Sequence, residues 1–90
     1  MLKTFQITVR GKVQGVFYRQ STLEMAKQLG VSGEVQNLSN GDVFITASGD
    51  ETQLEQLITW CRTGPSKAEV TEIVINEIPL QSFNSFIIRR

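Results

Sequence analysis

Gly11-Lys12-Val13-Gln14-Gly15-Val16-Phe17-Tyr18-Arg19 is the stretch on which the fold turns, because the pattern before it is a strand and the pattern after it a helix. It reads as a strand-to-helix loop with two glycines and, counting Arg10, three cations and no acid. Glycine admits positive φ and lets a backbone approach a ligand closely. A run of amide N–H groups leading into a helix N-terminus suits an anion. Arg19 sharpens this reading. A cation near a helix start opposes the macrodipole by roughly 0.3–1 kcal/mol, a local conflict that an anion lying between the two resolves. The stretch is expected to be an oxyanion cradle, with phosphate the simplest occupant.

Upstream, residues 3–10 alternate, with Phe5, Ile7 and Val9 on one face and Thr4, Gln6, Thr8 and Arg10 on the other, as in a half-buried strand. Downstream, Ser21-Thr22-Leu23-Glu24 has capping-box spacing and predicts a helix start near Ser21. Leu23, Ala26 and Leu29 form the expected buried stripe with Met25 at its edge, and Gly30-Val31 fits a Schellman-type stop. Residues 32–38 and 42–48 flank Ser39-Asn40-Gly41, a strong hairpin signal. Val43, Ile45 and Ala47 share a face there, which leaves Phe44 on the other with apolar surface exposed. Asp50 and Gln53 open a second helix whose stripe is Leu54, Leu57, Ile58 and Cys61, and Gly64-Pro65 breaks it. Residues 68–78 are β-rich, but the buried parity slips after Val70, which predicts a bulge. Pro79 interrupts, and Phe86 and Ile88 mark a last short strand. The order is β-α-β-β-α-β, with an extra short strand near residue 80 as an option. That is the α+β, ferredoxin-like sandwich: a four- to five-stranded, mostly antiparallel sheet with two helices on one face.

Ninety residues predict one domain, 1–90, with one core. No apolar run approaches 18 residues and Met1-Leu2-Lys3-Thr4 lacks a signal-peptide pattern, so a soluble, cytoplasmic monomer is expected, with no membrane partner. The start at Met1 and the end soon after the last strand suggest a free-standing protein. One cysteine, Cys61, excludes an internal disulfide and fits the core. Net charge is zero but uneven. Residues 1–23 carry Lys3, Arg10, Lys12 and Arg19 and no acid, a charge of +4, while the remaining 67 hold nine acids against five bases, a charge of −4. A positive field confined to the first loop suits a small anion better than a nucleic acid, whose binding domains are usually basic overall.

The chain has no histidine, which removes Ser/His and Cys/His nucleophilic arrangements and the commonest metal ligand. A lone cysteine and scattered acids have no metal-binding spacing, so neither metal nor cofactor is expected. An enzyme built from these residues works by positioning and electrostatics, and therefore on a substrate that is already reactive. Acyl phosphates qualify. Their carboxylate leaving group needs no protonation.

Gly11-Lys12-Val13-Gln14-Gly15-Val16-Phe17-Tyr18-Arg19 also resembles the first signature of the acylphosphatase family, and Gly33-Glu34-Val35-Gln36-Asn37 resembles its second. Gly41-Asp42-Val43, Ala47-Ser48-Gly49, Gly64-Pro65 before Ala68 and Val70, and Phe86-Ile87-Ile88 extend the resemblance over nearly the whole chain. Tyr18 stands where the family usually has phenylalanine, a departure that puts little in doubt. The resemblance implies a small ferredoxin-like hydrolase of the carboxyl-phosphate bond that uses no metal. It implies that Arg19 binds the phosphoryl group and Asn37 orients the attacking water. The backbone amides of Gly15, Val16, Phe17, Tyr18 and Arg19 would complete the cradle. Arginine's planar fork suits bidentate contact with phosphoryl oxygens. Asn37 shares strand parity with Val35, so it should face the helix-covered side at one end of the sheet.

Rival readings are a non-catalytic phosphate-binding module on the same fold and an RNA-binding sheet, for which the open face lacks paired stacking aromatics. Lys12 and Arg10 read as solvated cations that steer anions inward, Ser21 and Thr22 as helix-start residues, and Trp60 as a partly buried packing residue. A contact from Arg90 or the terminal carboxylate back to Arg19 is a further expectation.

Overall fold

In the computed structural model, which describes residues 1–90, the alternation upstream of the glycine loop becomes β1 (Leu2–Lys12). The elements that follow are α1 (Tyr18–Leu29), β2 (Ser32–Asn37), β3 (Val43–Asp50), α2 (Glu51–Cys61), β4 (Glu69–Ile78) and β5 (Phe86–Ile88). One sheet takes all five strands in the order β4-β1-β3-β2-β5, antiparallel except for the β2–β5 pair. The fifth strand lies at Phe86–Ile88, and residues 79–85 hold no strand. Ile7 and Val9 of β1, Val35 of β2, and Val43, Ile45 and Ala47 of β3 share one face. Leu54, Leu57, Ile58 and Cys61 of α2 complete the core from above, as the second-helix stripe predicts. The fold is the ferredoxin-like α+β sandwich.

Helix α1 departs from the expectation. It starts at Tyr18 rather than near Ser21, and its fully buried line is Tyr18, Thr22 and Ala26, with Leu23, Met25 and Leu29 only partly buried beside it. The local capping signal lost to burial. Val16 and Tyr18 anchor the end of the loop in the core, and Thr22 spends its hydroxyl on the Tyr18 carbonyl one turn back (2.7 Å). The stop is as predicted: Gly30 takes φ 76° and the Val31 N–H reaches the Ala26 carbonyl at 2.9 Å. Helix α2 begins at the Asp50–Gln53 capping box, where Gln53 Oε1 accepts the Asp50 N–H at 3.0 Å.

The predicted bulge is present. Arg10 pairs with Glu72 but Gly11 with Val70, which leaves Thr71 unpaired. Thr4, expected on a solvated face, is instead fully buried. The segment after Pro79 crosses that end of the sheet, and a closed ring of bonds forms there. Gln81 N–H donates to Thr4 Oγ1 (2.8 Å), Thr4 meets Ser48 Oγ at 2.6 Å, and Ser48 donates to the Gln81 carbonyl (2.8 Å). No helix is long and apolar enough to cross a membrane.

Candidate active site

Matched lengths bring the site together. Twelve residues of α1 rise about 18 Å and six residues of β2 span about 20 Å in the opposite sense. The end of β2 therefore returns beside the start of α1, and Asn37 arrives next to the glycine loop. On the other side of β2, β5 runs parallel with Val35 opposite Ile88, so two residues further along Arg90 draws level with Asn37. A cavity of about 480 Å³ opens at this junction, lined by Gln14, Gly15, Phe17, Arg19, Asn37 and Ile88 among others, with Arg90 at its margin. Arg19 in α1 and Asn37 at the end of β2, eighteen sequence positions apart, thus share one concavity, on the helix side that Asn37's parity demands.

The loop is held by alternate anchoring. Val13, Val16 and Tyr18 sink into the core while Gly15 and Phe17 stay exposed. Pinned at both ends, the chain turns through a left-handed Phe17 (φ 63°), the sole non-glycine residue at positive φ, to enter α1. None of the loop and turn hydrogen bonds is donated by the amides of residues 15–20; the first belongs to Ser21, which bonds the Phe17 carbonyl at 3.0 Å. These N–H groups lie before and at the start of α1, the positive end of the helix, where an oxyanion is favoured.

Arg19 sits in the first helical turn with no acid in that turn and no carboxylate within ion-pair distance. Arg90 lines the same cavity, but no ion pair joins it or any carboxylate to Arg19. Asn37 Oδ1 is buried and has no hydrogen-bond partner, the one such side-chain atom in the protein. Burying an unpaired amide oxygen costs about 1–3 kcal/mol, so this oxygen, on a residue that lines the same cavity as Arg19, has an acceptor site left to fill.

Other cations near the loop are engaged. Arg10 is exposed, as expected, and it is also paired: its Nη1 bonds Glu72 at 2.9 Å and its Nε lies 3.5 Å from Asp42. The Glu72 hydrogen bond raises its pKa and keeps it charged, and the two carboxylates offset that charge locally.

Two residues of the loop do more than the sequence suggested. Gln14 Nε2 donates to the carbonyls of Leu38 (2.8 Å) and Asp42 (2.9 Å), tying the glycine loop to the β2–β3 turn immediately beyond Asn37. The Tyr18 hydroxyl donates to the Cys61 carbonyl (2.7 Å) in the last turn of α2, and its ring packs against Trp60 at 5.5 Å. A glutamine in a glycine loop is a signal for the first. The second was not legible, because only the fold brings the end of α2 to Tyr18. No cluster of three or more His, Cys, Asp or Glu side chains is gathered for a metal ion.

The Acylphosphatase family model matches residues 5–88. An acylphosphatase of Marinobacter nauticus is 44% identical over 86 residues, which cover 94% of this chain and 94% of that one. An acylphosphatase structure from Coxiella burnetii superposes with a TM-score of 0.95 at 38% identity, covering 98% of this chain and 93% of the other. The Bacillus subtilis acylphosphatase structure gives 0.95 at 32% identity, with 100% of each chain covered.

Proposed function

The chain belongs to the acylphosphatase family, and we propose that it hydrolyses the carboxyl-phosphate bond of small acyl phosphates through Arg19, Asn37 and the loop amides. The observation that carries this reading is the pairing, in one cavity, of an arginine without a carboxylate partner and a buried amide oxygen without a hydrogen bond. Arg19 and the amides of residues 15–19 hold the phosphoryl oxygens and stabilise the charge that gathers there in the transition state. Asn37 Oδ1 accepts a hydrogen from a water and so aims its lone pair at phosphorus. The water oxygen forms the new bond to phosphorus as the bond from phosphorus to the acyl oxygen breaks, and the carboxylate leaves with that electron pair. An amide is no base, so the water's proton passes to a phosphoryl oxygen of the substrate. Catalysis on these terms is positioning and electrostatics, and it needs no metal.

Hydrolysis of benzoyl phosphate in EDTA tests the reading. Wild type turns the substrate over rapidly. Arg19→Gln loses turnover and inorganic-phosphate binding together. Asn37→Ala keeps phosphate affinity and loses about 10²–10³ in kcat, the effect of removing one preorganised hydrogen bond. If Asn37→Ala instead weakened phosphate binding at unchanged kcat, the water-orienting role would be wrong. A folded wild type that binds phosphate without turnover would be an anion-binding module on this fold.

A further inference from the structure

Phosphate chemistry accounts for one part of the cavity and leaves the other part unexplained. At about 480 Å³ it falls within the range of small-molecule sites, roughly 300–1,000 Å³, and is larger than a phosphoryl group requires. Its lining mixes polar residues, Arg19 and Asn37 among them, with apolar ones that include Phe17 and Ile88. Phe17 is 78% exposed and is the one large exposed apolar residue that lines this cavity. Its ring adds little to the core, and its backbone sits at a left-handed φ of 63° that disfavours every side chain except those of glycine, asparagine and aspartate. A phenylalanine there brings strain without burial, a combination that belongs to functional positions.

We propose that Phe17, with Ile88, is the surface that receives the acyl group, so that the enzyme prefers acyl phosphates with an apolar, ring-sized acyl part over small ones such as acetyl phosphate. The inference rests on the acylphosphatase reading above. The phosphoryl group is held by the amides on either side of Phe17, so the acyl oxygen leaves the cradle beside the Phe17 ring. An aromatic acyl group meets that ring as an offset or edge-on partner. A carboxylate-bearing acyl group gains nothing from it.

The test compares kcat/KM for benzoyl phosphate with kcat/KM for acetyl phosphate in wild type, Phe17→Asn and Phe17→Tyr. The ratio within each variant cancels any change in the phosphate cradle, which both substrates use. Asparagine accepts the left-handed backbone and removes the ring; tyrosine keeps the ring. The ratio is expected to fall about 3- to 10-fold in Phe17→Asn, the range one aromatic contact supplies, mainly through KM for benzoyl phosphate. It should stay near the wild-type value in Phe17→Tyr. An unchanged ratio in Phe17→Asn overturns this inference and leaves the acylphosphatase reading standing, whereas a wild type that hydrolyses neither substrate overturns both.

Discussion

At Tyr18 a phenol occupies a position where the family pattern has a bare ring, and the hydroxyl is used rather than merely tolerated. It bonds the carbonyl of Cys61 at 2.7 Å, one of the last carbonyls of α2, which has no partner further along its own helix. Tyr18→Phe should lower unfolding free energy by about 1–2 kcal/mol, because a buried acceptor is left unmade; urea denaturation measures it, and an unchanged midpoint would show that the carbonyl finds another donor. Residue type alone pointed to Arg19, a guanidinium after a glycine loop, whereas Asn37 entered only through the family resemblance; the fold lines one cavity with both. The role of the Tyr18 hydroxyl was not legible, since its acceptor lies 43 positions away.

The elements set the separation of the two halves of the site. The glycine loop joins β1 to α1 and Asn37 ends β2, and Gln14 ties the loop to the turn beyond Asn37 through the carbonyls of Leu38 and Asp42. Gln14→Ala should cost roughly 1 kcal/mol of stability and lower kcat about 10-fold through a loosened Arg19–Asn37 geometry. Steady-state kinetics checks this, and a loss of stability with kcat unchanged would confine Gln14 to a structural role. At the same scale Gly33 holds β2 tight on β3. Its φ is 143°, and an added Cβ would lie 1.9 Å from the Thr46 carbonyl oxygen. Element type and the hairpin were readable from periodicity and turn chemistry. The start of α1 was not, because a capping box contributes about 1 kcal/mol whereas burying Val16 and Tyr18 contributes more.

Across the molecule, charge and burial point to a stability that holds at neutral pH and declines in alkali. Cys61 is fully buried, and burial pushes its thiol from 9.0 up to about 12. Burial likewise raises the Tyr18 phenol. Below pH 9 the thiol is protonated in both states and contributes no pH dependence. Between 9 and about 12 the unfolded chain sheds the proton and the folded chain keeps it, so stability falls as pH rises. The melting temperature should therefore decline from pH 9 upward, and Cys61→Ala should make that decline shallower. Parallel curves for the two proteins would refute it. The uneven charge of the sequence is also redistributed by the fold. Lys3 meets Glu51 (3.2 Å) and Glu77 (3.8 Å), and Arg10 meets Glu72 and Asp42, so much of the N-terminal excess is neutralised away from the cavity.

What the sequence by itself determined was whatever rests on local pattern: the alternating strands, the Asn-Gly hairpin, the Gly30 stop, the bulge after Val70, and the strand-to-helix glycine loop. Periodicity and turn chemistry act over a few residues and leave their mark on the chain directly. What only the tertiary structure decided were relations between distant segments. They include the burial of Thr4 beneath residues 79–85, the ion pairs of Arg10, and the early start of α1. They also include the orphaned oxygen of Asn37 beside an unpaired Arg19 and the strained, exposed Phe17 at the cavity rim. Each depends on which surfaces meet when the sheet closes over its helices, and burial energy, which settles that, is summed over contacts that no local stretch of sequence contains.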